Sequence, residues 1–335
     1  MSPASILRAI AMVLLMLVSL ELGARLYWRI EHKVPWIRRG GIFHVFYPNV
    51  GIRREESNRP DEKRRDILVL GGSVIDEMRD GFARLDERLG DGVRLHVAGR
   101  VAHTTLDSRR KHEWLEDLGY EEVLVYHGIN DCKYDNMPAE LFDDGYSVYP
   151  FYQAVTALLR HPEADWFFLP YTLEFAWIQA RHLRRAKWTR PTAWARNEWW
   201  VHGSDVKSAR TFRRNLEDLV ERSRRLGQTV YLATFASYIP PDYTDEKFLA
   251  GELDYDSPRL PAATWGDSEN VRNCIAIHNE ILRDIGSRYD NVRIIDVENA
   301  IPSEGRLYDD PCHFSAAGKA VFFDALEAGL RRPQF

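Results

Sequence analysis

The fold of this chain is decided by the stretch DILVLGGSV, residues 66–74. Its first half is rich in Ile, Leu and Val, the composition of a strand buried on both faces of a parallel sheet. Gly71 and Gly72 follow, and glycines after a strand permit a tight turn. We predict that this turn places Ser73 at the amino end of a helix, with its hydroxyl exposed and its amide free to donate.

Four more strands of the same kind follow, separated by longer helical stretches. Alternating strands and helices are typical of a parallel sheet with helices on both faces. We therefore predict an α/β fold with three layers (α/β/α) around a five-stranded parallel sheet. The predicted strands are Asp66–Leu70, Arg94–Ala98, Val123–His127, Thr229–Phe235 and Val292–Val297, and two of the predicted helices cover about 206–220 and 315–330.

Residues that follow the strands are the candidates for chemistry, because ligands of an open parallel sheet bind outside the carboxyl ends of its strands. Gly99 follows the second strand, and the third strand runs into Gly128-Ile129-Asn130-Asp131. The amides of Ser73 and Gly99 and the side chain of Asn130 offer three hydrogen-bond donors at one rim. Donors of this kind suit the oxyanion that develops during acyl transfer.

Beyond the last strand, Asp310 precedes His313 by three residues in a loop ahead of the final helix. A histidine can act as base for a serine, and a carboxylate at this spacing can hold the histidine's tautomer. Each segment alone has an ordinary alternative: a plain turn or phosphate loop for Gly-Gly-Ser, a turn for Asn-Asp, and coincidence for Asp-x-x-His. Their joint occurrence, in this chain order, is far more specific.

On these four segments the sequence resembles the SGNH hydrolases, which include the GDSL-like lipases and esterases. The matching positions are Ser73 as nucleophile, Gly99 and Asn130 in the oxyanion hole, and Asp310 with His313. The resemblance covers about 66–330 and implies a flavodoxin-like three-layer fold without metal. The first block reads Gly-Gly-Ser instead of the common Gly-Asp-Ser, and the second lacks the Asn often found before its glycine, so no branch of the family is indicated.

The resemblance implies a serine esterase that hydrolyses O-acyl esters through an acyl-enzyme, with O-acetyl groups of envelope carbohydrate as substrates if the chain is exported. Two alternatives stay open. An O-acyltransferase acting on envelope glycan would use the same site, and detection of a transferred acyl group would identify it. A non-catalytic glycan- or lipid-binding protein would keep the fold without reacting with a fluorophosphonate probe.

An insertion at about 133–205 separates the third strand from the next helix and is too long for an ordinary connection. It is rich in aromatic residues, among them Trp199 and Trp200. These two tryptophans are candidates for substrate binding, in a lid or platform over the site. The alternative is that the aromatic residues pack on one another in a small core of their own.

The N-terminal segment, 1–30, contains an apolar run over 9–20 and is predicted to be a signal segment or a membrane anchor; a linker follows at 31–65. Leu22-Gly23-Ala24 is a poor cleavage site, so both forms stay open. Basic residues after the run outnumber Arg8 before it, which argues against export. We nevertheless expect a membrane-anchored or exported protein, since an apolar N-terminal run is uncommon on cytosolic enzymes.

Charge and cysteine usage exclude other classes. Lys and Arg number 45 and Asp and Glu 50, so no basic field is present to hold nucleic acid. Three cysteines without metal-ligand spacing predict no structural metal, and no cofactor is expected. Cys132 and Cys312 flank predicted catalytic residues; a bridge between them would leave Cys274 odd, but we expect two unpaired thiols.

Overall fold

The structure is a computed structural model of the chain. It describes residues 2–36, 40–50, 65–90, 92–185 and 197–331. Two parts of the predicted linker, 37–39 and 51–64, and the part of the predicted insertion at 186–196 lie outside the described residues.

Strands and helices alternate through most of the described chain. The strands found there are β1 (Arg65–Gly71), β2 (Val93–Val97), β3 (Glu122–Tyr126), β4 (Thr229–Ala233) and β5 (Val292–Ile295). The α-helices of the same ranges are α1 (Pro3–His32), α2 (Phe43–Phe46), α3 (Ser73–Glu77), α4 (Arg79–Leu89), α5 (Thr105–Leu115), α6 (Ile129–Cys132), α7 (Pro150–Leu159), α8 (Leu169–Arg185), α9 (Ser208–Arg225), α10 (Asp245–Ala250), α11 (Ser268–Arg288), α12 (Val297–Ala300) and α13 (Ala316–Leu330). Short 3-10 helices lie at Glu116–Leu118, Lys133–Asn136, Ala139–Leu141, Pro162–Asp165, Asn197–Ser204, Ala262–Thr264 and Gly305–Leu307.

In the described ranges, five strands form one parallel sheet in the order β2-β1-β3-β4-β5, which confirms the predicted fold class. The chain passes from β1 to β2 on one side and then returns to build β3, β4 and β5 on the other. The topology therefore reverses between β1 and β3, where ligands of such sheets bind. Gly71 of β1 is in register with Tyr126 of β3, so the segments that leave these two strands start side by side.

Strands β2 and β3 each end one residue earlier than predicted, and β4 and β5 each end two residues earlier. Beyond Ala233 the amide of Phe235 donates to Oδ1 of Asn279, at 2.7 Å, and not to a neighbouring strand. Similarly, β5 ends at Ile295 because Val297 already begins α12.

The chain divides into two compact units. The first comprises 1–51 and 145–193, and the second comprises 52–144 and 194–335. The middle of the predicted insertion therefore belongs to the same unit as the N-terminal segment, whereas the ends of the insertion belong to the unit that contains the sheet.

In the first unit, α1 is a helix of 30 residues that is long and apolar enough, by length and composition, to cross a membrane. Its second half packs on α8. Trp28 is buried and stacks on Tyr171, with ring centroids 5.6 Å apart, and its Nε1 donates to Oγ1 of Thr172 at 2.9 Å. Glu21 accepts the amides of Phe168 and Leu169, at 3.1 and 2.9 Å, which satisfies free N–H groups at the start of α8.

In the second unit, amphipathic helices cover the sheet. The apolar face of α9 is buried as its periodicity predicted, with Phe212, Leu216 and Leu219 inside. At the start of α13 the hydroxyl of Ser315 accepts the amide of Gly318 at 3.2 Å, an N-cap bond. The same hydroxyl donates to the carbonyl of Arg306 at 2.8 Å, so this cap also fixes the loop that precedes α13.

Candidate active site

Ser73 is the first residue of α3 and is buried next to the end of β1. The two glycines before it are required by crowding and not by a left-handed backbone. A Cβ on Gly71 would lie 2.3 Å from Cγ1 of Ile75, and one on Gly72 would lie 2.6 Å from Nδ2 of Asn130. The Gly-Gly sequence therefore lets both the following helix and the Asn130 side chain approach the serine turn closely.

His313 and Asp310 lie in the loop before α13, and the structure brings both to Ser73. Nε2 of His313 is 2.9 Å from Oγ of Ser73, and Nδ1 of His313 is 2.7 Å from Oδ2 of Asp310. Because a buried carboxylate accepts at Nδ1, the tautomer that fits carries its proton there and leaves Nε2 to accept from the serine. The three side chains thus form one continuous series of hydrogen bonds.

Asp310 is completely buried, and the turn around it supplies its other partners. The backbone amides of Cys312 and His313 both donate to Oδ1, at 3.0 and 2.9 Å. These bonds hold the Asp310 carboxylate in place. They also explain the spacing of three residues, because a turn of another length would not bring the His313 imidazole back to the Asp310 carboxylate.

Asn130 lies in α6, directly after β3, and its amide is held at both ends. Nδ2 donates to the carbonyl of His103 at 3.0 Å, and Oδ1 accepts from Nε1 of Trp265 at 3.2 Å. Because a Cβ on Gly72 would lie only 2.6 Å from Nδ2, this nitrogen lies beside the residue that precedes Ser73. An amide nitrogen has two N–H groups, so Nδ2 has a second donor beyond the bond to His103.

Gly99 is buried after β2 and packs against α3. A Cβ at this position would lie 2.5 Å from Cγ2 of Ile75 and 3.2 Å from the amide nitrogen of Asp76. Arg79 donates to the carbonyl of Gly99 at 2.9 Å and is paired with Asp76 at 2.8 Å. The Gly99 loop is therefore held against the helix that carries Ser73. Gly99 and Ser73 thus lie at the same rim of the sheet, where the sequence places both.

Helix α5 ties the Gly99 loop and the Asn130 loop together. The amide and the hydroxyl of Thr105 donate to the buried carboxylate of Asp131, at 3.1 and 2.8 Å. Two turns along, Nζ of Lys111 donates to the carbonyl of Ala98 at 2.6 Å. Complete burial lowers the pKa of Lys111 to about 7. Asp131, the acidic residue of Gly128-Ile129-Asn130-Asp131, therefore positions the loop that carries Asn130.

Glu77 and Arg259 were not predicted as parts of the site. Oε1 of Glu77 lies 3.7 Å from Nε2 of His313, and Arg259 bonds both carboxylate oxygens of Glu77, at 2.6 and 3.1 Å. The backbone amide of Arg259 also donates to the carbonyl of Asp309 at 3.1 Å. A signal for Glu77 was present in the sequence, because it follows Ser73 by four residues and so shares a helix face with it.

The other histidines near strand ends have structural partners. His96 is 2.7 Å from Oδ1 of Asp66, and Nε2 of His127 is 2.6 Å from Oγ of Ser108. Burial lowers the pKa of His127 to about 3, so this imidazole is neutral at ordinary pH.

Trp199 and Trp200 lie in the 3-10 segment Asn197–Ser204 and are partly buried. The carbonyl of Trp200 accepts from Nδ2 of Asn270 at 3.0 Å. This segment packs against the turn at Lys133–Asn136, which continues the chain from Asn130. Nδ2 of Asn136 in turn donates to the carbonyl of Trp265 at 2.6 Å, so the two tryptophans belong to the layer that supports Asn130.

The cysteines pair differently from both alternatives considered in the sequence. Cys132 forms a disulfide with Cys274 of α11, with Cα atoms 5.8 Å apart, and Cys312 is free and buried. Cys132 ends α6 on the side that faces α11. The backbone N–H of Cys312 instead donates a hydrogen bond to Asp310. Burial raises the pKa of the Cys312 thiol well above the usual range. The expectation of an unpaired Cys132, and the alternative bridge to Cys312, were therefore wrong.

No family model and no curated protein matches this chain. Solved structures do match it. A candidate acylhydrolase from Bacteroides fragilis is 12% identical, with a TM-score of 0.47, over 83% of this chain and 91% of that one. A GDSL-like lipase from Bacteroides thetaiotaomicron is 11% identical, with a TM-score of 0.44, over 85% of this chain and 96% of that one.

An acetylxylan esterase from Geobacillus stearothermophilus is 14% identical, with a TM-score of 0.43, over 80% of this chain and 95% of that one. Similarities this low concern the fold alone.

Proposed function

We propose that this chain is a serine esterase of the SGNH type that hydrolyses O-acyl esters through an acyl-enzyme. The observation that carries this proposal is the series of hydrogen bonds from Ser73 Oγ to His313 and on to Asp310, at 2.9 and 2.7 Å. A nucleophile, a base within hydrogen-bond distance and a group that orients the base are the parts that acyl transfer requires.

In the first step Oγ of Ser73 attacks the ester carbonyl and Nε2 of His313 takes the serine proton. The imidazole becomes charged, and the buried carboxylate of Asp310 stabilises that charge. Oε1 of Glu77 lies 3.7 Å from the same Nε2 and adds a second negative group beside the imidazole. The Glu77 carboxylate also forms a salt bridge with Arg259.

The carbonyl oxygen becomes an oxyanion during the attack. The second N–H of Asn130 Nδ2 and the backbone amides of Ser73 and Gly99 are the donors that we assign to it. Donors held in place before the reaction stabilise the transition state most, and one such donor contributes about 10²–10³ in kcat. The bonds from Asn130 to His103 and Trp265 provide this rigidity.

Collapse of the first intermediate breaks the bond to the leaving alcohol, which takes the proton from His313. Water then attacks the acyl-serine while His313 again accepts a proton, and the acid leaves as Oγ of Ser73 is protonated. The same site would transfer the acyl group to a sugar hydroxyl if that acceptor replaced water. Incubation with an acyl donor and an acceptor glycan, followed by mass spectrometry of the glycan, separates the two reactions.

The experiment that tests the proposal compares Ser73→Ala with the wild type on a panel of p-nitrophenyl esters and acetylated sugars. We expect kcat to fall by a factor on the order of 10⁴ to 10⁶ without loss of fold. A fluorophosphonate probe should label the wild type at Ser73. The exposed Ser287→Ala is a matched control that should keep wild-type activity. A folded Ser73→Ala protein with wild-type turnover would refute the proposal.

We also infer that the chain is exported and stays attached to a membrane through α1. The Cys132–Cys274 disulfide supports an oxidising compartment, against the basic residues that follow the apolar run. Denatured protein from its native membrane fraction should bind alkylating reagent at Cys312 alone before reduction and at all three cysteines after it. Alkylation of all three without reduction would contradict export.

A further inference from the structure

Helix α1 changes its surroundings at Glu21. Each described residue of α1 up to Leu20 is exposed, although most of these side chains are apolar. From Glu21 onward the helix is part of a packed unit, with Ala24 and Trp28 buried against other elements. The exposed apolar half of α1 therefore ends at Leu20, and the half that packs against other elements begins at Glu21.

Arg25 ties three chain segments together just beyond this point. Its Nε is paired with Glu21 at 2.7 Å, and its guanidinium lies 4.6 Å from the ring centroid of Phe168. The same guanidinium donates to the backbone carbonyls of Trp36 and Trp166. The chain that follows α1 and the chain that precedes α8 are thus both held at the level of Glu21 and Arg25.

Large aromatic side chains are exposed at that level. Trp36 is 44% exposed, Trp166 is 69% exposed and Phe167 is 40% exposed; we call these three residues the aromatic collar. Exposed tryptophans are costly in water, whereas an indole with an apolar body and a polar N–H suits the boundary between lipid and water. The collar lies beside α1 close to where its apolar half ends.

The length of the apolar half agrees with the thickness of a bilayer. At 1.5 Å per residue, the helix from Pro3 to Leu20 is roughly 27 Å long, close to the roughly 30 Å of hydrocarbon in a typical membrane. Glu21 and Arg25 would then lie where the headgroups begin.

We propose that the aromatic collar lies in the headgroup region of a phospholipid bilayer, with α1 retained in the mature protein as the spanning helix. Retention follows from the packing. Cleavage after Leu22-Gly23-Ala24 would remove the Glu21 carboxylate from the amides of Phe168 and Leu169, and cleavage after α1 would also take Trp28 from its place on Tyr171. The first turn of α8 and the residue before it thereby hold α1 in place.

The test uses the full chain in nanodiscs made of phosphatidylcholine brominated near the glycerol end of its acyl chains. Bromine quenches tryptophans at that depth. We expect quenching in the wild type and a clear loss of it in Trp36→Leu/Trp166→Leu. Trp177→Leu is the matched control, because Trp177 is also exposed on α8 but lies about 12 Å further along that helix from Leu169. The control should be quenched like the wild type.

Equal quenching of the wild type and the double variant would overturn the proposal. So would an increase in oligomer mass that depends on the two tryptophans, since it would mean that a second copy of the chain covers the collar. The single variant Trp166→Leu gives the same comparison if the double variant melts at a lower temperature. The intact mass of the chain from native membranes should include α1, and a mass that lacks residues 1–20 or more would also overturn the proposal.

Discussion

The indole of Trp265 donates a hydrogen bond of 3.2 Å to Oδ1 of Asn130, and both side chains are buried. This bond assigns the oxygen of the amide and so directs Nδ2 toward His103 and the turn before Ser73. A residue 135 positions away in sequence therefore sets which end of Asn130 faces the nucleophile.

Trp265→Phe tests this arrangement. An aromatic side chain is kept, smaller by the pyrrole ring, and the N–H is lost, so Asn130 can rotate its amide. Loss of one buried hydrogen bond costs about 1–3 kcal/mol, and we expect kcat to fall about tenfold with little change in KM. The same substitution in an Asn130→Ala background should lower kcat no further. An equal decrease in both backgrounds would mean that Trp265 acts on another group.

Asn130→Ala removes the proposed side-chain donor itself. We expect kcat to fall by about 10²–10³ with KM nearly unchanged, because the lost bond is made mainly in the transition state. Steady-state kinetics on one activated ester are sufficient to measure it. A change confined to KM would make Asn130 a substrate-binding residue.

Asp310→Asn separates the orienting role of the carboxylate from its structural role. The Asn oxygen can still accept the amides of Cys312 and His313, so the melting temperature should change little. Its NH₂ group would face Nδ1 and favour the imidazole tautomer that carries the proton on Nε2, which cannot accept from Ser73. We expect kcat to fall by about 10⁴. Activity within tenfold of the wild type would exclude this role.

Cys274→Ser removes the disulfide, which joins residues separated by 142 positions. A bridge that closes so long a loop restricts the unfolded chain, and its removal should lower the free energy of unfolding by about 2–5 kcal/mol. Urea denaturation measures the change. Reductant should destabilise the wild type to the same extent and leave Cys274→Ser unaffected. A reductant effect on the variant would point to a different origin.

Trp199→Ala and Trp200→Ala test whether the 3-10 segment Asn197–Ser204, which packs against the turn after Asn130, binds substrate. We expect kcat/KM to fall more for bulky acyl or glycan substrates than for a small activated acetyl ester. An equal fall on both, together with a lower melting temperature, would favour a purely structural role in a local aromatic core.

The sheet and the proximity of Ser73, His313 and Asp310 could be predicted because their signals are local. Buried strands show as short apolar runs, and Asp310 with His313 act through a turn of three residues. Ser73 could be placed because Gly71 and Gly72 follow such a run directly.

Contacts between distant segments could not be predicted in the same way. Nothing near Trp265 in sequence indicates Asn130, and Arg259 reaches Glu77 from a loop with no periodic pattern. The cysteines show the limit most clearly. Cys132 bonds Cys274 of α11, 142 residues away, and no local pattern in the sequence indicates that pairing.

Gly72 occupies the position where the common Gly-Asp-Ser block has its aspartate, and a Cβ there would lie 2.6 Å from Nδ2 of Asn130. The space that an aspartate needs is thus already filled by the asparagine of another loop. The close approach of the Asn130 loop to the turn before Ser73 consequently depends on the missing side chain at position 72, since any side chain there would require the Asn130 amide to move.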